Sequence, residues 1–208
     1  MAHMIAIHTQ TPQKRLIEQV VNFIRRGAVI VYPTDAGYAL GCHIDNKAGV
    51  ERIRRIRRLD EKHHFTLLCR DLSEVGQYAR VDNVAYRMLR RSTPGAYTFI
   101  FKATKEVPKR LQHEKKKTIG LRFPDHPIVA AILDSLGEPL INSSLILPDD
   151  EVPLADPFNI EMDLGKIVDV IIDGGIHYAE PTTVIDWTES APVILRQGKG
   201  DPEIFMVH

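Results

Sequence analysis

Three arginines stand where an apolar stretch gives way to a turn, and each suits the capture of an anion. Arg57 follows Val50 by two helical turns and Ile53 by one, so in the helical stretch 47–58 it lies on the apolar side. Arg122 ends the run "TIGLR", ahead of the proline-punctuated "FPDHP", and Arg196 ends "VIL". An unpaired guanidinium is expensive to bury, so an inward arginine needs a partner. Two readings of Arg57 stand side by side: an internal salt bridge, or a pocket-lining cation that grips a phosphate or carboxylate bidentately. Strand ends beside loops are where α/β sheets hold ligands, and three arginines so placed point to an anion site.

Other polar groups gather at similar positions. The stretch "VYPTDAGYALG", residues 31–41, breaks an apolar run with a proline, a hydroxyl, a carboxylate and two glycines. A strand that only had to pack could end in any turn; this mixture suits a loop that touches something. "INSSL", residues 141–145, puts Ser143 and Ser144 at the end of an apolar run, where hydroxyls either hydrogen-bond a ligand or cap the next turn. Neither serine sits in a GxSxG elbow, so nucleophilic catalysis has no support. The absence of GxxxxGK[ST] argues against an ordinary P-loop ATPase. The nine histidines show no metal-ligand spacing, and the adjacent His63 and His64 would point apart on regular structure, so no metal site is assigned. No side chain is an obvious general base, and no catalytic residue is assigned.

These residues need elements to hold them. Thr11-Pro12 starts a helix with a capping hydroxyl and a proline at the first helical position; Leu16, Val20, Phe23 and Ile24 continue it and Gly27 stops it. Strands are expected at 28–32, 65–69, 118–122, 140–144, 168–172, 183–186 and 193–196, and helices at 47–58, 73–78, 83–91 and 127–136. Tyr97, Phe99 and Phe101 alternate with Thr98, Ile100 and Lys102, which marks a half-exposed strand after the Pro94-Gly95 turn. The acidic stretch 149–163 reads as a surface excursion with a short helix, and 173–181 as a loop. No repeat or flexible linker interrupts the chain. The fold class is α/β, a single domain with a twisted mixed parallel and antiparallel sheet flanked by helices.

Bulk properties narrow the function further. The 208 residues carry 27 Lys plus Arg and 27 Asp plus Glu, so no global field attracts polyanions. Charge clusters locally instead: Arg52, Arg54, Arg55, Arg57 and Arg58, then Lys105, Lys109, Arg110, Lys115, Lys116 and Lys117. These clusters read either as an RNA-binding face or as solvated faces partly paired with Glu51 and Glu114. Cys42 and Cys69 lie in apolar contexts without pairing or CxxC spacing, as buried thiols of a reducing compartment do. No apolar run approaches the ~20 residues of a membrane span and no secretory signal opens the chain, so a soluble, cytoplasmic protein is expected.

In order and spacing, "YPTDAGYALG", "RIRRLD", "PGAYTFI", "GLRFPDHP", "INSSL", "DGG" and "TTVIDWT…VILRQG" resemble the YrdC/YciO family, most closely its YciO branch. The similarity runs from about Arg15 to Gly200, so a YrdC-like domain is expected over 11–200, with 1–10 and 201–208 as terminal extensions. The resemblance implies a concave, electropositive cavity on a twisted mixed sheet. It also implies threonylcarbamoyl-AMP synthase-like activity on ATP, L-threonine and bicarbonate with Mg²⁺. The product of that reaction donates its threonylcarbamoyl group to adenosine in tRNA, and members have been described as binding double-stranded RNA.

Carried over residue by residue, the resemblance places Thr34, Tyr38, Arg122 and Thr182 around threonine. Arg55, Arg57, Ser143, Ser144 and Arg196 fall to the nucleotide. Arg54, Arg58, Lys109, Arg110, Lys115, Lys116 and Lys117 are the candidate RNA contacts. Three departures from the family pattern stand out. Arg55 replaces the lysine of its KxR pair; Gly37 and Ala39 replace Val and Gly in the threonine loop. Ile146 replaces the asparagine of its SxN motif and offers no side-chain hydrogen bond. The expected function is that of a nucleotide- and threonine-binding enzyme; the alternative is a double-stranded RNA binder without turnover.

Overall fold

The apolar periodicities resolve into ten strands and six α-helices in a computed structural model that describes residues 1–60, 63, 65–150 and 153–206. His64 of the histidine pair, Glu151 of the acidic stretch and residues 207–208 lie outside the described residues. The strands are β1 (His3–Ala6), β2 (Ile30–Thr34), β3 (Gly37–His43), β4 (Thr66–Leu68), β5 (Tyr97–Lys102), β6 (Thr118–Arg122), β7 (Leu140–Ser144), β8 (Val170–Asp173), β9 (Thr183–Asp186) and β10 (Val193–Arg196). They form one sheet in the order β1-β8-β2-β3-β7-β4-β6-β5-β9-β10, with parallel and antiparallel pairings mixed.

Helices α1 (Lys14–Arg25) and α5 (Pro127–Leu136) pack against part of one face of this sheet. Their Val20, Ile24, Ile128 and Ile132 meet Ile30, Tyr32, Leu68, Leu140 and Ile172. The opposite face carries the larger core: Val31, Leu40, Leu67, Phe99, Phe101, Ile119, Leu121 and Ile185. Helices α2 (Lys47–Arg57), α4 (Asn83–Ser92) and α6 (Pro157–Leu164) pack there through Val50, Ile53, Leu89, Ile160 and Leu164; α3 (Val75–Tyr78) adds one short turn. The chain is thus one α/β domain with a mixed sheet between helices.

Three local expectations are corrected. Helix α1 begins at Lys14, because the Thr11 hydroxyl and amide both bond His8 Nδ1 and leave no cap for a helix starting at Pro12. Residues 1–10 contribute the edge strand β1, parallel to β8, and bury Ile5 and Ile7; one short strand with a single inward residue gives too little pattern to read. At the other end, a turn of 3-10 helix, Pro202–Phe205, drives Phe205 against Tyr97, Phe99 and Trp187.

Register explains where the sheet is left open. Cross-strand partners share a face, and one row runs Gly41, Asn142, Thr66, Gly120, Ile100, Asp186, Val193. It belongs to the face that α1 and α5 cover, but Thr66, Thr98, Ile100, Val184 and Asp186 are half-exposed, and Lys102, Ser144 and Arg196 are exposed. Arg122 stands at the boundary, paired with Leu68, the last strand residue of that covered patch.

Candidate functional site

The β2–β3 turn builds the first wall. Thr34 Oγ1 donates to the Gly37 carbonyl at 2.7 Å and accepts from Ala36 N–H at 3.1 Å, closing a two-residue turn. Gly37 takes φ +107°, and a Cβ there would meet Ala179 at 2.7 Å, so glycine is required on both counts. The turn buries Asp35, whose Oδ1 accepts from Arg122 Nη2 at 2.5 Å and whose Oδ2 accepts from Asp125 N–H at 3.1 Å. Arg122 is only 4% exposed, and its Nε is buried without a hydrogen-bond partner among the described residues. Burial holds its pKa below the usual arginine value despite Asp35, and the charge of Arg196 pushes the same way.

Tyr38 forms the second wall. Its hydroxyl donates to the Gly175 carbonyl at 2.8 Å and accepts from Gly174 N–H at 3.1 Å, pinning the "DGG" turn after β8. Burial pushes this phenol up to about 12, so it stays protonated. Near Asp35, His126 Nδ1 is buried with no hydrogen-bond partner among the described residues, and its ring centre lies 5.9 Å from that of His177. Burial, then the neighbouring His177, lowers His126 to about 4.

Arg57 reaches the same region from α2. Its Nε donates to the Ile146 carbonyl at 3.0 Å and its Nη1 to Ser143 Oγ at 2.8 Å. No carboxylate pairs with it among the described residues, so of its two readings the internal salt bridge is not formed. Burial lowers its pKa. Ser143 is buried, and Ser144, on the opposite face at the end of β7, is exposed. Arg55, two positions before Arg57, is exposed and turned away, because residues i and i+2 of a helix do not share a face.

Thr182 and Arg196 are engaged with each other. Arg196 Nε and Nη2 both donate to the Thr182 carbonyl, at 3.0 and 2.9 Å, and Thr182 Oγ1 shares a 2.8 Å hydrogen bond with Thr98 Oγ1. The structure therefore gathers Thr34, Tyr38, Arg122, Thr182 and Arg196 around the ends of β2, β6 and β9. Arg57 with Ser143 lies at the end of β7, and Arg55 is left outside.

Two of the expected RNA contacts are corrected. Arg54 donates to the carbonyls of Asp60 and Arg110, at 2.8 and 3.3 Å, and lies 4.8 Å over the Phe65 ring. Arg110 donates to the Ile44 carbonyl at 2.8 Å. Arg54 ties α2 to the 109–111 turn and Arg110 ties that turn to the loop before α2, so both face inward. Arg58 pairs with Asp149 at 3.1 Å on the surface. Lys109, Lys115, Lys116 and Lys117 are exposed. Among the described residues no three His, Cys, Asp or Glu side chains gather as a metal site.

Sequence reasoning missed Asp35, Lys199 and His126. Asp35 stood in the quoted loop, and its charge amid apolar neighbours was the available signal. Lys199, whose Nζ donates to the Asp35 carbonyl at 3.0 Å, carried none.

Comparison with known proteins agrees with this architecture. The Sua5/YciO/YrdC family model, described as telomere recombination, matches residues 22–198. An Escherichia coli K12 relative, "Uncharacterized protein YciO", is 54% identical over 206 residues, 99% of this chain and 100% of that one. The crystal structure of E. coli YciO superposes with a TM-score of 0.95 over the same shares. A threonylcarbamoyl-AMP synthase of Vibrio vulnificus YJ016 is 27% identical across 88% of this chain and 98% of its own. The P. abyssi Sua5 structure complexed with L-threonine shares the fold, with a TM-score of 0.86 at 24% identity; the match covers 94% of this chain and 57% of that one. The chain belongs to the Sua5/YciO/YrdC family.

Proposed function

We propose that this protein binds ATP and an amino acid of the L-threonine type and acts as a threonylcarbamoyl-AMP synthase-like nucleotidyltransferase. The observation that carries the reading is the pair of inward arginines. Arg122 keeps a buried Nε without an acceptor, and Arg57 has only neutral partners. Anions are the groups that would complete both. The relatives support the same chemistry: one is a threonylcarbamoyl-AMP synthase, and Sua5 is complexed with L-threonine.

In this reading Arg122 receives the amino-acid carboxylate, and Arg57 with Ser143 receives phosphate. The amino nitrogen adds to the carbon of bicarbonate, and loss of water leaves a carbamate. A carbamate oxygen then attacks the α-phosphorus of ATP, and pyrophosphate leaves. The chain's part is alignment and neutralisation of developing charge by fixed guanidinium groups. The Ile146 side chain offers no polar group, and its main-chain N–H and carbonyl are taken by the Ser144 carbonyl and Arg57, so turnover is slow.

Threonine-dependent release of pyrophosphate from ATP is the test. Arg122→Lys, which keeps a cation beside Asp35 and so the fold, loses the dependence because lysine cannot grip a carboxylate bidentately, and Ile146→Asn raises the rate. Equal threonine dependence in wild type and Arg122→Lys would overturn the reading. A second reading, double-stranded RNA binding without turnover, is favoured by the exposed Lys105, Lys109, Lys115, Lys116 and Lys117. The tRNA acceptor of the first reading would meet the same surface.

A further inference from the structure

Lys199 brings a cation to the Asp35 turn from the segment that follows the edge strand β10. Its position is set by packing. Gly198 N–H donates to Thr183 Oγ1 at 3.0 Å and Lys199 N–H to the Pro181 carbonyl at 2.9 Å. A Cβ on Gly198 would lie 2.1 Å from the Pro181 carbonyl oxygen, so only glycine lets the chain pass this close. From there Lys199 Nζ reaches the Asp35 carbonyl at 3.0 Å, while Arg122 holds the carboxylate of the same residue.

The donors around Asp35 divide into two kinds. The hydroxyl protons of Thr34 and Tyr38 are engaged by the Gly37 and Gly175 carbonyls. Arg122 Nε has no partner, and an ammonium has three protons, of which Lys199 uses one here. Lys199 Nζ meets only a neutral carbonyl, and no carboxylate lies within ion-pair distance of it among the described residues. The acids nearby are otherwise placed: Asp35 is paired with Arg122, Asp125 is exposed, and Asp173 caps Gly175 N–H at 2.8 Å. A ligand carboxylate at Arg122 would still leave the Lys199 ammonium without an anion.

We propose that the amino-acid subsite prefers an L-amino acid whose side chain carries a second anionic group, a carboxylate or phosphate. Arg122 takes the α-carboxylate and Lys199 the side-chain anion. The inference rests on the reading that the Arg122 end holds an amino acid; it adds the class of side chain and the residue that selects it.

The test is titration calorimetry of the full chain without nucleotide, using L-glutamate, O-phospho-L-threonine and L-threonine. A separate arm uses ATP alone. The acidic ligands bind about tenfold more tightly than L-threonine, the size of one charge-assisted hydrogen bond at a partly exposed site. Lys199→Gln brings them down to the affinity of L-threonine, and Lys199→Arg keeps the preference; thermal melts confirm that both variants fold. L-Threonine binding as tightly as the acidic ligands overturns the inference and leaves the proposed function standing. So does a preference that survives Lys199→Gln. A Lys199→Gln effect on ATP alone overturns it too, by giving Lys199 to a nucleotide phosphate. If ATP binds but none of the three amino acids does, the amino-acid half of the proposed function falls, and the inference with it.

Discussion

Arg122 and Asp35 illustrate how a buried ion pair is asymmetric. Each is held by the other, and removing one partner leaves a desolvated charge that the interior cannot compensate. Asp35→Asn should therefore destabilise the fold by about 3–5 kcal/mol. Asp35→Leu combined with Arg122→Met should cost less than Asp35→Asn alone, and urea unfolding of the three proteins checks the order. His126 adds a pH dependence. It is neutral in the fold with a pKa of about 4, against about 6.5 when unfolded. Between those values the unfolded chain binds a proton that the folded one does not, so this contribution is full above about pH 6.5 and is lost as pH falls towards 4. His126→Asn should flatten that part of the stability profile, which chemical denaturation at pH 7 and pH 4.5 would show.

At the scale of elements, close approach between strands decides what β3 can carry. A Cβ on Gly41 would lie 2.6 Å from the Ile141 carbonyl oxygen and 2.7 Å from the Tyr32 ring. Tyr32 in turn donates to Asn142 Oδ1 at 2.9 Å across this gap, fastening β2 to β7 over the middle strand. Gly41→Ala should force β3 and β7 apart and lower stability by about 1–3 kcal/mol, with the Tyr32–Asn142 bond the first to lengthen. Thermal unfolding and the tyrosine signals in near-UV circular dichroism report both effects. Gly120 works similarly on β6: a Cβ there would meet Thr66 Oγ1 at 2.8 Å. Small residues keep this row of the sheet low, beside Arg122.

For the whole molecule, zero net charge hides a division of the surface. Lys109, Lys115, Lys116 and Lys117 lie exposed around one turn, while Asp149 and Asp150 are exposed elsewhere on the chain. If duplex RNA binds, it does so through phosphates and largely without regard to sequence. Its affinity then falls linearly with salt on logarithmic axes, each phosphate contact adding a slope somewhat below one. Replacing Lys115, Lys116 and Lys117 with Gln should flatten that slope while leaving ATP binding intact. Fluorescence anisotropy over a salt series checks it. Coincident slopes, or no binding at low salt, would reduce the run to a solvated face. Arg54 and Arg110 should contribute stability and no salt dependence, because their guanidinium groups join two elements.

What could be read along the chain was whatever depends on near neighbours. The bounds of β6, β7, β9, β10 and α5 matched the apolar runs and the proline- or glycine-bearing breaks between them, because strand and helix formation draw on near neighbours. The inward turn of Arg57 was legible for the same reason. Its partners were not: Ser143 of β7 and the Ile146 carbonyl just beyond that strand lie 86 and 89 residues away. The Asp35–Arg122 pair lay further out of reach. In the strand order β2-β3-β7-β4-β6, four spacings separate their strands, about 19 Å in a flat sheet. The twist of a folded sheet, the place of Asp35 in the β2–β3 turn and the reach of the two side chains together close that gap to 2.5 Å. Lys199 needed a further step, the passage of 197–200 across β9 beside a glycine with no room for a side chain. Local sequence determined which residues face inward; curvature of the sheet decided which of them meet.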